Sequence, residues 1–266
     1  MVDGEMLEAI LLGVVQGITE FLPISSDGHL VIAHALLASS SGGGTAHPES
    51  QLHFDVVLHL GTLGSILVVF RRELMGLINR PRLAGLIVAA TLPAVAIGLT
   101  LKSRVEEAFN SPLAAGIGLL ITAAFLLAGR RLARGEKSLD ELRLADAVFI
   151  GALQALAIGP GISRSGTTIA GGLMRGLTRH TATTFSFLLA VPVISGAVVL
   201  IAKDLAMGEA TVGRFDVMAV ATITSFTVGL AALRGLIRLV AQDRLHWFAY
   251  YCIVAGAATI VWQCTR

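Results

Sequence analysis

Two polar stretches decide how this chain is read: Pro23-Ile24-Ser25-Ser26-Asp27-Gly28-His29 and Pro160-Gly161-Ile162-Ser163-Arg164-Ser165-Gly166. Each interrupts a long apolar region, 5–38 in the first case and 145–178 in the second. A helix does not run unbroken through such a stretch, because proline lacks an amide N–H and turns the residue before it away from the helical conformation. Irregular backbone at membrane depth is tolerated only where protein or a wet cavity satisfies its polar groups. Both stretches are therefore read as the tips of re-entrant helix–loop–helix hairpins that line a common cavity.

Outside the hairpins, apolar runs at about 54–70, 83–101, 112–129, 184–202, 216–233 and 246–262 each approach the roughly 20 residues that a bilayer core requires. The composition agrees: of 266 residues 55% are hydrophobic and 14% charged, and the mean hydropathy is +0.78. A formal charge of +2 offers no basic surface for nucleic acid and no acidic solvating tail. Cys252 and Cys264 lack CxxC spacing, so neither a disulfide framework nor a thiolate zinc site is expected. Asp3, Glu5 and Glu8 without a basic residue argue against a cleaved signal peptide at the start of the sequence.

The two hairpins match one another. Laying residue 13 on residue 151 pairs Gly13 with Gly151, Gln16 with Gln154, Ile24 with Ile162, Ser25 with Ser163 and Gly28 with Gly166. Further on, Phe54, Leu58, Val68 and Leu74 fall on Phe185, Leu189, Val199 and Leu205 at a slightly shorter offset. Basic residues then set the orientation, because cytoplasmic loops hold an excess of them. They cluster at Arg71, Arg72, Arg80 and Arg82; at Arg130, Arg131, Arg134, Lys137 and Arg143; at Arg175 and Arg179; and at Arg234, Arg238 and Arg244. The alternate connections hold only Lys102 and Arg104, or Lys203 and Arg214. The predicted architecture is an all-α polytopic membrane protein, a single integral domain over 1–266 with six transmembrane helices plus the two hairpins. Repeat one covers about 1–130 and repeat two about 140–266. Three spans per half make it an inverted-topology repeat, an arrangement that forms a site near the midplane where the halves meet.

Ionisable groups inside apolar segments mark function by default. Glu20 lies one helical turn after Gln16, on the same face, where their oxygens could hold Mg²⁺ or Ca²⁺, or Glu20 could accept a proton. Ser25, Ser26, Asp27 and His29 place two hydroxyls, a carboxylate and an imidazole in one turn, which suits a hydroxyl nucleophile beside a base. Ser25 equally suits a cap for a helix beginning near His29. The second stretch has the composition of a phosphate cradle: glycines, the hydroxyls of Ser163, Ser165, Thr167 and Thr168, and Arg164, whose guanidinium fork can grip phosphate oxygens. Arg164 could also simply pair with Glu20 or Asp27. His53, Asp55 and His59 head a span and read as packing and interfacial hydrogen bonding more readily than as a metal site, and His34 is left unassigned. Asp146 reads as a helix-entry residue, and Trp247, Tyr250 and Tyr251 as an interfacial anchor.

With Gln16-x-x-x-Glu20, Phe21-Leu22-Pro23-Ile24-Ser25-Ser26, Gly28-His29 and the stretch 160–166, the chain resembles the undecaprenyl-diphosphate phosphatases, also called bacitracin-resistance proteins, over essentially its whole length. Gln16 fits that family, which carries Glu or Gln there. Asp27 departs from it, since Thr or Ser is usual, and a carboxylate beside a diphosphate repels it unless a divalent ion lies between them or the carboxyl is protonated. The resemblance implies dephosphorylation of undecaprenyl diphosphate, recycling the lipid carrier for peptidoglycan and other cell-wall polymers, with resistance to bacitracin. It implies a divalent cation, Mg²⁺ or Ca²⁺, at Glu20 with Gln16. It implies catalysis by Glu20, Ser26, His29 and Arg164, and diphosphate binding by Ser25, Ser163, Arg164, Ser165, Gly166 and Thr168. The attacking group is Ser26, His29 or water. The expected setting is the bacterial inner membrane, multi-pass among membrane lipids, with both termini extracytoplasmic, the site opening outward and a homodimer left open. An inverted-repeat transporter or flippase for an anionic lipid or small anion is the alternative, with Arg164 binding the anion and Glu20 coupling to protons or Na⁺.

Overall fold

The computed structural model describes residues 2–40, 48–133, 135–207 and 214–265. Arg134 falls outside them, and the side chains of His53 and Lys102 are likewise outside the described set. The first half comprises α1 (Val2–Thr19), α2 (Ser26–Ser40), α3 (Pro48–Val69), α4 (Arg71–Gly76), α5 (Pro81–Thr100), α6 (Lys102–Phe109) and α7 (Pro112–Leu132). The second comprises α8 (Leu144–Leu156), α9 (Arg164–Met174), α10 (Arg179–Ala206), α11 (Phe215–Ala241) and α12 (Leu245–Cys264).

The breaks fall where proline and glycine require them. α1 stops at Thr19, ahead of Pro23, and α8 stops at Leu156, ahead of Pro160. α2 begins at Ser26, earlier than the start near His29 that the sequence suggested, because Ser25 is the cap: its Oγ accepts the Gly28 N–H at 3.2 Å. Ser163 caps α9 in the same way, accepting from the Gly166 N–H at 3.0 Å. A side-chain oxygen at this position satisfies one of the N–H groups that the first turn leaves unpaired.

Among the described residues five helices are long and apolar enough to cross a membrane: α5, α7, Arg179–Leu200 of α10, α11 and α12. The expected six is reached only if Phe54–Val69 of α3 is counted with Arg71–Asn79, to which it is bent by 71°. The bend coincides with Arg71, Arg72 and Glu73, charges whose helix has no buried residue. Large apolar side chains such as Val88, Leu92, Ile223 and Val254 stand exposed on the outside of the bundle, while Thr62, Ser65, Thr122, Thr168 and Ser225 are buried inside it. That inversion suits lipid as the solvent, because lipid tails give helices no apolar incentive to associate and small or hydroxyl residues must do it.

The contacts pair the halves crosswise: α1 packs on α11, α8 on α5, and α7 on α12. A Cβ added at Gly13 of α1 would lie 3.0 Å from the Ala221 carbonyl oxygen, and one added at Gly151 of α8 would lie 2.3 Å from that of Ala90. The four basic clusters gather at one end. Arg82 donates to the Asp140 and Leu142 carbonyls at 2.8 and 2.9 Å, the Lys137 and Gly176 backbones bond at 3.0 Å, and Arg179 pairs with Asp243 at 2.7 Å. α5 starts at that end and leads to α6 at the other.

The two interrupted stretches meet backbone to backbone. A Cβ on Gly28 would lie 2.7 Å from the Gly161 Cα, and Gly161 itself has φ +83°, a conformation that disfavours any side chain. Thr122 of α7 anchors this crossing, donating to the Gly161 carbonyl and accepting from the Ser163 N–H, both at 2.8 Å. Gly28→Ala is expected to cost about 1–3 kcal/mol through overpacking, read as a lower melting temperature of the detergent-solubilised protein; melting with the wild type would show that the loops do not touch.

Candidate functional site

Glu20 follows the last turn of α1, and its carboxylate is buried. A buried carboxylate is costly unless paired and hydrogen-bonded, and here both oxygens are engaged. Oε1 accepts from the Arg164 guanidinium Nη2, which reaches across from the second loop. Oε2 accepts from Gln16 Nε2 at 3.1 Å and from Ser26 Oγ at 2.6 Å. The Gln16/Glu20 spacing read from sequence is therefore a real contact, and the Arg164 pairing weighed as the simpler alternative is present as well. The other edge of the guanidinium is different: Nη1 is buried and meets no partner among the described residues.

His59 is the residue that sequence reasoning undervalued. Its Nδ1 donates to the Asp55 carbonyl at 2.8 Å, which fixes the ring and directs Nε2 at two carboxylates, Glu20 Oε2 at 3.3 Å and Asp27 Oδ1 at 3.5 Å. The Asp55 side chain turns instead to His34 at 3.1 Å. A carboxylate and an imidazole one turn apart were visible in the sequence, but the partners Glu20 and Asp27 belong to a distant segment. Asp27, the departure from the family pattern, thus has a cationic-capable neighbour.

These groups open on a cavity of about 300 Å³. Its walls include Glu20, Ser25, Ser26, Asp27 and His59 from the first half, with Val105 and Phe109 of α6, and Gln154, Ser163, Arg164 and Ser165 from the second. Ser163 Oγ lies 3.1 Å from Ser165 Oγ.

Of the expected residues, Gln16, His29, Gly166 and Thr168 do not line this cavity. His29 is not among the lining residues: Nδ1 donates to the Ser25 carbonyl at 2.6 Å, Nε2 accepts from Tyr251 Oη at 2.7 Å, and the two rings stack at 5.6 Å. Tyr251 is thereby more than an interfacial anchor. Thr168 donates to the Arg164 carbonyl at 2.7 Å and lies 2.6 Å from Ser186 Oγ, buried behind the loop. Gly166 spends its N–H on the Ser163 cap. Asp146 does enter a helix, accepting the Arg143 N–H at 3.1 Å, and it also binds Arg175 at 2.7 Å.

Among the described residues no group of three or more His, Cys, Asp or Glu is arranged to hold a metal ion. Glu20 is committed to Arg164 and Ser26, whereas Asp27, among the described residues, has only the His59 contact at 3.5 Å as an ion pair. The donor set fits a hard cation that takes one or two carboxylate oxygens and completes its shell with phosphate and water, not one caged by protein alone.

The chain is similar in sequence to known proteins. The family model described as bacitracin resistance protein BacA matches residues 9–258. The chain belongs to that family. Within the BacA family it is similar to the undecaprenyl-diphosphatase of Rhodopirellula baltica, 46% identical over 97% of this chain and 98% of the relative. The protein of the same name from Carboxydothermus hydrogenoformans is 40% identical over 96% of this chain and 97% of its own length. That of Christiangramia forsetii is 41% identical over 97% and 98%.

If Glu20 and Arg164 stabilise each other, Glu20→Gln and Arg164→Gln should each lower the melting temperature, and the double variant should lose less than both together. A double-mutant cycle is expected to give a coupling of about 2 kcal/mol; strictly additive losses would show two independent residues.

Proposed function

We propose that this chain hydrolyses undecaprenyl diphosphate to undecaprenyl phosphate, returning the lipid carrier to cell-wall polymer synthesis and conferring bacitracin resistance. The observation that carries the reading is the Glu20 carboxylate, bonded on one oxygen to Arg164 and on the other to the Ser26 hydroxyl, in a cavity between two loops. An anionic head can enter this cavity while its tail stays in the bilayer.

The chemistry follows from these contacts. Ser26 Oγ already donates to Glu20, so Glu20 is placed to take its proton as Oγ bonds to the terminal phosphorus and the anhydride P–O bond breaks. The lipid monophosphate leaves, and water then cleaves the phosphoserine, releasing phosphate. His29 does not attack in this scheme, because both its nitrogens are occupied by Ser25 and Tyr251. Arg164, with the Ser163 and Ser165 hydroxyls, holds phosphate oxygens, and positioning with charge neutralisation supplies most of the rate in such a transfer. Asp27 would hold a divalent cation together with the diphosphate. The cation would neutralise the anionic oxygens and remove the repulsion that Asp27 otherwise exerts.

Inverted topology and outward access belong to the same proposal. The pairing of α1 with α11 and α8 with α5 supports an inverted repeat, because the offset that lays Phe54 on Phe185 also lays Ala90 on Ala221, the two residues met by Gly13 and Gly151. The two hairpins are then re-entrant. The basic loops, joined at one end, face the cytoplasm. Val105 and Phe109 of α6, at the opposite end, contribute to the cavity wall, which supports outward access with both termini on the outer side.

Purified protein is expected to release phosphate from undecaprenyl diphosphate with Mg²⁺ or Ca²⁺. Glu20→Ala and Arg164→Ala should each lose at least about a hundredfold in rate. Folded wild type without release would leave a binding site and favour a carrier, read by lipid movement in sealed vesicles. For access, a cysteine at position 27 in a background lacking Cys252 and Cys264 should react with a membrane-impermeant thiol reagent from outside; labelling only from the cytoplasmic side would reverse the orientation.

A further inference from the structure

Gln154 sits in the last turn of α8 and is 2% exposed, yet neither its Nε2 nor its Oε1 meets a hydrogen-bond partner among the described residues. Burying an amide unpaired is costly, and such groups are rare in folded proteins and call for an explanation. Gln154 also lines the cavity that holds Glu20, Ser26 and Arg164. Its counterpart Gln16 shows what is missing. Gln16 donates to Glu20, four residues on, whereas four residues after Gln154 stands Ile158. The same glutamine is thus used in the first half to orient a carboxylate and left in the second half without a protein acceptor. The buried Nη1 of Arg164, on the same cavity, is a second donor in the same condition.

We propose that Gln154 is a further substrate-binding residue, its side-chain N–H donating to a diphosphate oxygen that takes no part in bond breaking, with Arg164 Nη1 holding another. This rests on the diphosphatase reading. A neutral amide donor suits that task, because it binds anionic oxygen without adding a charge that would compete with Arg164 for Glu20. A contact made equally in the ground and transition states lowers KM and leaves kcat alone.

The test compares wild type with Gln154→Leu, which removes the amide at similar size, and Gln154→Glu, which sets a carboxylate against the phosphate. Hydrolysis of undecaprenyl diphosphate should show KM raised about tenfold in Gln154→Leu, the factor expected for one hydrogen bond to an anion, with kcat within about twofold and a larger rise in KM for Gln154→Glu. Thermal melting of the detergent-solubilised protein should show Gln154→Leu as stable as wild type or more so, and without the upward shift that inorganic pyrophosphate gives wild type. Unchanged KM and an intact pyrophosphate shift in Gln154→Leu would overturn the inference, as would lower stability with reduced kcat at constant KM, the signature of a structural role. A wild type that shifts with pyrophosphate but releases no phosphate would overturn the diphosphatase reading alone, and the loss of the shift in Gln154→Leu would still support the binding role.

Discussion

The contact between Glu20 and Arg164 joins the two halves of the chain at the place where helices are broken. Neither charge is tolerable alone in an apolar interior, and each is satisfied chiefly by the other. That requirement pins the second loop against the first, and much of the local geometry follows. Glycine is needed at 28 and 161 because the backbones touch there, and Ser26 is carried to the carboxylate oxygen that Arg164 leaves accessible. Caps from Ser25 and Ser163 hold the two loop exits in matching conformations.

Around this centre the packing obeys the rules of lipid rather than of water. Gly13 and Gly151 let α1 and α8 approach the backbones of α11 and α5, and hydroxyls bond across helices, as Ser65 does to the Phe226 carbonyl at 2.8 Å and Ser225 to that of Leu58 at 2.9 Å. Large apolar residues do form a core, in which Phe187 contacts Phe21 at 5.8 Å and Phe70 at 5.6 Å. Bulk hydrophobicity alone would not choose that core over lipid; close approach and hydrogen bonding do.

The two interrupted stretches differ at the positions where their side chains meet. With residue 13 laid on residue 151, Glu20 falls on Ile158, Ser26 on Arg164 and Asp27 on Ser165. The first loop therefore carries the carboxylate and the hydroxyl that donates to it, and the second carries the arginine. Two loops of equal composition would have brought like charges together, whereas this division lets the Glu20 carboxylate meet the Arg164 guanidinium.

The sequence by itself determined the broken helices, most of the spans and the contact of Gln16 with Glu20. These follow from local chemistry: proline ends a helix, apolar length spans a bilayer, and Gln16 and Glu20 share a face because they are one turn apart. The same local logic misjudged what depends on distant partners. Only the tertiary structure decided that the chain bends by 71° between α3 and α4, that His29 is taken by Tyr251, that Thr168 is turned to Ser186, and that His59 and Gln154 face the cavity. Spacing along a helix specifies which residues lie on one face, but what that face meets is set by helices far away in the chain, and a side chain's chemistry is settled by its partner.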